Sequence, residues 1–257
     1  MWNSPRVVNV AAGALAALAF ALLAYAGGSV LLDSPAFLLK TIVVEGDLAH
    51  VERREIVNAL QGRVRGTFFT VQLEAVRALF EAIPWVRRAE LRRRWPDSLE
   101  VRIEEHVALA RWGQQRKETQ LVNAQGELFR AQSDAALPIL AGPSGTEGEV
   151  ARRYLAFRDL LAPLGLEPRQ VLLSSRLAWQ LKLSNGLTVQ LGRDSEKDRV
   201  EDRLARFVSA FPQTLAKSRQ RLEYVDLRYS SGFALRVTEG GTEPRRSEPV
   251  RLAHKKV

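Results

Sequence analysis

Three patterns of apolar and polar positions divide this chain. Residues 7–32 carry no charge, and Asn9 and Ser29 are the only strongly polar interruptions. Arg6 precedes the run and Asp33 ends it. A helix needs roughly 20 apolar residues to cross the hydrocarbon core of a bilayer, so residues 10–32 are predicted to form a transmembrane helix. No later stretch is as long and as free of charge. The rival reading is a cleaved signal peptide, since Ala24-Tyr25-Ala26 fits a small-x-small cleavage pattern. The run continues through Val30-Leu31-Leu32, past a usual h-region of about 7–15 residues, which favours an uncleaved anchor. Arg6 and the amino terminus on the short flank, residues 1–9, predict a cytoplasmic start. Everything after residue 33 would then be exported, into the periplasm of a Gram-negative cell.

The second pattern alternates short elements of period 2 and period 3.6. Residues 39–46 read as a strand closed by Gly46, and residues 51–60 as a helix with Ile56, Val57 and Leu60 on one face. Gly62 and Gly66 interrupt the chain before a second helix, whose Leu73, Val76, Leu79, Phe80 and Ile83 share a stripe up to Pro84. Two strands follow, 86–94 and 99–105. In the first, Ala89, Leu91 and Arg93 alternate with Glu90, Arg92 and Arg94; in the second, Leu99, Val101 and Ile103 alternate with Glu100, Arg102 and Glu104. Opposed residues share a face, so the connection must hold an odd number of residues. The turn Trp95-Pro96-Asp97 sets Arg92 opposite Glu100 and Glu90 opposite Arg102, whereas a shift by two would oppose like charges. Arg87, Arg88, Arg92, Arg93 and Arg94 are read as a solvated face balanced by Glu90, Glu100 and Glu104 rather than as a phosphate-binding patch.

From about residue 109 the pattern is strands with helical interruptions. A hairpin is predicted around Ala124-Gln125-Gly126, a loop at 142–148, a helix at 150–164 and strands at 171–175, 179–183 and 187–191. Asn185-Gly186 is a strong hairpin signal between the last two. The loop lacks the Gly-Lys-Ser/Thr ending of a phosphate cradle. A helix at 196–211 carries Val200, Leu204, Phe207 and Phe211 on one face and is predicted to stop at Pro212. The stretch 224–237 reads as a closing amphipathic strand, with Val225, Leu227 and Tyr229 alternating with Asp226 and Arg228. Residues 239–257, rich in Gly, Pro, Arg and Glu, are expected to form a disordered basic tail.

Composition narrows the chemistry. Hydrophobic residues make up 46% of the 257 and charged residues 26%, enough for packed cores. The net charge of +9 suits an anionic neighbour. With no cysteine and only His50, His106 and His254, thiolate and histidine metal sites are not expected. No Gly-x-Ser-x-Gly or His-Glu-x-x-His signature occurs, so an enzyme is not expected.

Motifs then add a resemblance. Gly66-Thr67-Phe68-Phe69, Val76-Arg77, Ile83-Pro84-Trp85-Val86 and Arg93-Arg94-Trp95-Pro96-Asp97-Ser98-Leu99 resemble the FtsQ-type POTRA pattern, and the order β-α-α-β-β is that of a POTRA domain. Ala108 stands where such families often have proline. Downstream, Leu121-Val122-Asn123, Gly142-Pro143, Trp179-Gln180-Leu181, Leu191-Gly192-Arg193, Arg203-Leu204-Ala205-Arg206-Phe207 and Val225-Asp226-Leu227-Arg228-Tyr229 stand in the order of the FtsQ/DivIB family. The resemblance implies an α+β fold: a single transmembrane helix, a POTRA domain at 37–108, and a second mixed α/β domain at 109–238 with an extended antiparallel sheet.

It further implies a scaffold of the cell-division machinery in the inner membrane at the septum. Such a scaffold bridges early and late division proteins, binds FtsB and through it FtsL, and helps control septal peptidoglycan synthesis. The POTRA part would meet upstream division proteins. No cofactor, nucleic acid or small-molecule substrate is implied. In the family the partner adds extended backbone beside the last strand, by β-augmentation. Carried over by motif, Arg228, Tyr229, Ser231, Gly232 and Phe233 lie on that strand, and Arg176 and Trp179 in supporting strands. Tyr229 and Phe233 would be apolar anchors, the arginines would engage acidic partner residues, and Gly232 would allow close approach. Three readings compete: Tyr229 and Trp179 as core residues, a secreted polyanion binder if the first segment is cleaved, and a POTRA-bearing translocation component. The last would need the strands of a membrane barrel downstream.

Overall fold

The computed structural model describes residues 5–32, 34–113, 120–214, 221–229 and 232–238. It divides into two compact units, 1–106 and 107–257.

The first unit begins with helix α1 (Pro5–Leu32). Its residues Asn9–Gly28 are long and apolar enough to cross a membrane, and nothing in the protein buries them. A 3-10 turn at Pro35–Phe37 leads to β1 (Thr41–Glu45), α2 (Arg53–Leu60), α3 (Leu73–Glu81), β2 (Val86–Arg94) and β3 (Ser98–Glu105). The sheet order is β1-β3-β2, with β1 parallel and β2 antiparallel to β3. The charge argument predicted the observed register: Glu90 faces Arg102, Leu91 faces Val101 and Arg92 faces Glu100, across the turn at 95–97. Leu99, Val101 and Ile103 point into a core completed by Val76 and Phe80 of α3. The arginines of β2 are largely engaged locally. Arg87 pairs with Glu104 at 2.6 Å, and Arg93 donates to the carbonyls of Phe68 and Val71 at 2.8 and 2.9 Å.

Two further contacts organise this unit. The Glu105 carboxylate accepts the consecutive amides of Ala49, His50 and Val51 at 2.8–3.2 Å. Burial pushes its pKa up, but these bonds and the His50 ring outweigh burial, and the net displacement is downward. At the end where α1 leaves, the Thr67 hydroxyl donates to the Leu32 carbonyl at 2.7 Å, and the Phe68 amide donates to the Phe37 carbonyl at 2.7 Å.

The second unit is built on a nine-stranded sheet. Its elements are β4 (Ala108–Trp112), β5 (Gln120–Asn123), β6 (Leu128–Arg130), β7 (Ile139–Ala141), α4 (Glu147–Leu161), β8 (Pro168–Leu173), β9 (Ala178–Leu183), β10 (Thr188–Arg193), α5 (Val200–Thr214), β11 (Arg221–Asp226) and β12 (Ala234–Thr238). The spatial order is β12-β11-β10-β9-β8-β7-β4-β5-β6. The α+β class is as expected, but the sheet is mixed rather than antiparallel throughout. β4–β7, β7–β8 and β10–β11 are parallel. The last two follow from helical crossovers, β7-α4-β8 and β10-α5-β11, because a helix returns the chain in the direction it left. α4 and α5 pack on the sheet through Val150, Tyr154, Phe157 and Leu161, and through Val200, Leu204 and Phe207. Trp179, Leu181 and Leu183 of β9 meet them while Lys182 faces out, the alternation of a half-buried strand.

α5 starts at Val200 and continues through Pro212 to Thr214, two departures from the sequence reading. Residues 194–199 are instead a loop whose Asp194 carboxylate accepts the Val200 amide at 3.1 Å, capping the helix. The helix runs only two residues past Pro212, so the interruption the proline causes is confined to the last turn. The expected tail at 239–257 lies outside the described residues.

Candidate functional site

The stretch 224–237 is two strands, not one. β11 lies inside the sheet, parallel to β10 with Val189 opposite Val225 and antiparallel to β12 with Val225 opposite Leu235. β12 forms the border of the sheet, paired on one side only. Arg228 and Tyr229 therefore stand on the exit from β11, and Gly232 and Phe233 on the entry to β12, rather than on the border strand itself. The physical reason is the polar Ser230-Ser231-Gly232 sequence, a turn signal that splits the amphipathic run. Ser231 lies outside the described residues. Phe233 and Tyr229 are thus brought together by a chain reversal rather than by strand periodicity.

α5 forms the opposite wall. Arg206, Ala210, Leu227, Tyr229 and Phe233 line an open groove of about 250 Å³ between this helix and the β11–β12 connection. Phe233 meets Phe207 edge-on at 6.1 Å between ring centroids, so half of it is committed to the core. Tyr229 is 57% exposed. It is not a core residue.

The polar frame of the groove is held by two aspartates. Arg228 donates to Asp226 through Nε at 2.9 Å and Nη2 at 2.6 Å, and its backbone amide donates to the same carboxylate at 3.1 Å. The Arg228 guanidinium holds the Asp226 carboxyl below the usual range, against the opposing effect of burial. In return Asp226 raises the Arg228 pKa further. Asp198 plays the same part for α5, taking Arg203 Nε at 2.7 Å and Arg206 Nη2 at 3.0 Å, and these bonds lower its pKa. Arg203 is buried, and its Nη1 also donates to the carbonyls of Leu191 and Arg193 at 2.5 and 2.8 Å. Gly192 makes room for both arginines. A Cβ there would lie 2.7 Å from Arg228 Cγ and 3.4 Å from Arg203 Nη1, and the residue has φ +78°, a conformation that favours glycine.

Arg176 is exposed in the β8–β9 turn, with no side-chain partner among the described residues. Ala178 opposite Arg193 and Gln190 opposite Asp226 place that turn at the same end of the sheet as Arg228. At about 4.8 Å per strand, the two lie on the order of 10–15 Å apart. Trp179 does not join them. It is 1% exposed, meets Phe157 edge-on at 5.8 Å, and is covered by the Arg153 guanidinium. Large aromatics fill interiors because of the area they bury, and Trp179 is core.

Sequence reasoning missed Arg206 and Leu227 on the groove wall, and Leu235 and Arg236 on the border strand. Leu235 is 39% exposed, and Arg236 stacks on Tyr224 at 5.8 Å. Splitting the run at the turn-favouring sequence Ser230-Ser231-Gly232 would have found the border strand.

Comparisons with known proteins agree with this architecture. Residues 37–106 match the model of the FtsQ-type POTRA domain, and residues 110–228 that of the C-terminal domain of cell division protein FtsQ/DivIB. The chain is similar to cell division protein FtsQ of Burkholderia pseudomallei, with 44% identity over 92% of this chain and 94% of that one. It is 40% identical to the FtsQ of Nitrosospira multiformis over 93% of this chain and all of that one. With the FtsQ of Bordetella pertussis the identity is 38% over 91% and 92%.

Proposed function

The chain belongs to the FtsQ/DivIB family of cell-division proteins, and from that premise we propose that it is a division-septum scaffold that captures an extended segment of FtsB along the outer edge of β12. FtsL joins through FtsB, and the assembly bridges early and late division proteins. α1 anchors the chain in the inner membrane, and both folded units stand in the periplasm. The work is binding, not catalysis.

The single observation that carries this reading is the border position of β12 beside an apolar groove. A border strand offers a row of N–H and C=O groups that a second chain can complete. The opposite border of the same sheet, β6, has three residues, too few for a long ladder. In the first unit β1 and β2 are the border strands, and a run of arginines defends β2 against pairing. At β12 the groove adds selectivity. Tyr229 and Phe233 offer rings to an apolar side chain, and Arg176 at the same end of the sheet, with Arg206 and Arg228 beside their aspartates, offers donors to acidic partner residues.

Tyr229→Lys and Phe233→Lys variants test the reading, with FtsB pull-down and a thermal melt measured side by side. Tyr229→Lys is expected to keep its melting temperature and lose FtsB, since its ring is mostly in water. A folded Tyr229→Lys variant that holds FtsB as tightly as the parent chain would overturn the assignment of the groove.

A further inference from the structure

The anchor-proximal end of the first unit has the makings of a lipid-facing surface. Three connections converge there. The Thr67 hydroxyl holds the last carbonyl of α1, at Leu32. Leu38 bridges to Thr67. The Lys40 amide donates to the Asp97 carbonyl at 3.0 Å, which brings the Trp95-Pro96-Asp97 turn to the same end. The side chains these contacts leave in water are large and apolar: Trp95 is 75%, Leu38 50% and Phe69 43% exposed. Phe37 packs edge-on against Phe69 at 5.1 Å, so the rings form a small cluster. Val57 is the other large apolar side chain so exposed among the described residues 34–106.

Charge completes the surface. Arg63 and Arg65 line an open groove with Thr70 immediately before α3, and neither side chain has a partner among the described residues. Arg94 beside Trp95 has none either. Asp97 at this end is already paired with Lys40 at 3.2 Å. Exposed tryptophan and phenylalanine interleaved with unpaired arginine is the composition that settles at the headgroup level of a bilayer, rings among the acyl boundary and guanidinium groups on phosphate.

We propose that this end of the first unit rests on the bilayer, with Trp95, Phe69 and Leu38 in the headgroup layer and Arg63 and Arg65 on anionic lipid phosphates. The proposal rests on α1 being a membrane anchor. It gives the first unit a fixed footing beside the anchor, where a tether alone would let it tumble.

The absence of cysteine makes the test direct, because one introduced thiol carries one nitroxide. The full chain is reconstituted into phosphatidylcholine vesicles with and without phosphatidylglycerol. Three single-label variants are compared by collision with dissolved oxygen and with an aqueous nickel chelate. Leu18→Cys reports on α1, Arg94→Cys on the proposed surface with Trp95 left in place, and Arg102→Cys on β3 four residues beyond Ser98, away from that surface. The expected result is a label at 18 in hydrocarbon, at 94 in the headgroup layer, and at 102 in water. A label at 94 as water-exposed as that at 102, with 18 in hydrocarbon, overturns the docking and leaves the anchor standing. A label at 18 in water removes the anchor and the proposal with it. In the phosphatidylglycerol vesicles, Arg63→Gln with Arg65→Gln is expected to lower the docked-to-free ratio at position 94 by roughly fivefold for each arginine. An unchanged ratio would overturn the role given to the arginines. A thermal melt confirms that each exposed-site variant folds.

Discussion

Replacing Asp226 by asparagine tests whether the polar frame of the groove is structural in the way its geometry indicates. Asp226 is 5% exposed, and its carboxylate accepts from the Nε, Nη2 and backbone amide of Arg228. Asparagine keeps the shape but turns one acceptor into a donor aimed at a guanidinium. Hydrogen bonds to charged groups contribute about 1.5–3 kcal/mol each when sheltered. The Arg228 side chain is 56% exposed, so water replaces much of what is lost and the exposed part of the pair is worth little. The expected destabilisation at neutral pH is therefore about 1–2 kcal/mol. Because the folded-state pKa of Asp226 lies below its ordinary 3.8, the wild-type contribution is complete above that value and lost as pH falls through the depressed one. The asparagine variant has nothing to titrate there. Urea unfolding of both full-length proteins in detergent, repeated from neutral pH downward, should give a gap that is constant above about pH 5 and closes in more acid solution. A gap that stays the same throughout, or is absent at neutral pH, would refute the clamp.

Two other outcomes follow from the same region. Arg203→Met should cost about 3 kcal/mol in the same unfolding assay, because it strands the carbonyls of Leu191 and Arg193 away from their donor and leaves the Asp198 carboxylate with Arg206 alone; a loss under about 1 kcal/mol would mean water takes the arginine's place. Proline at Leu235 and proline at Arg236 should behave oppositely, since successive amides along a strand point to opposite sides. One substitution removes a bond to β11 and lowers the melting temperature; the other removes an outward donor, leaves the melt nearly unchanged and abolishes FtsB capture. Equal effects of the two on binding and melting would count against strand addition.

The elements whose pattern is local were legible in the sequence. The turn at 95–97 and the pairing of Arg92 with Glu100 followed from parity and charge alone, because a one-residue slip would turn Leu91 and Val101 outward. The α5 stripe of Val200, Leu204 and Phe207 was equally plain, though its start was not, since Asp194 caps it from a loop that carries no periodicity. What the pattern could not supply was lateral order. Nothing in the spacing of Val225 and Leu235 says that one strand is interior and the other at the border; that depends on α5 crossing over to set β11 beside β10. For the same reason Arg176 and Arg228 were picked by motif, yet their shared sheet end comes from the strand order. Trp179 shows the opposite failure: its residue type suits a contact site as well as a core, and only the covering Phe157 and Arg153 decide.

The border strand is also the last of the described strands along the chain. During synthesis the other eight strands of its sheet emerge first, so β11 waits with one flank bare until Ala234–Thr238 arrives. A chain cut short after Tyr229 would keep that vacancy permanently, presenting Val225 and its neighbours to any passing extended polypeptide. Premature termination there should therefore yield self-association rather than a quiet loss of binding.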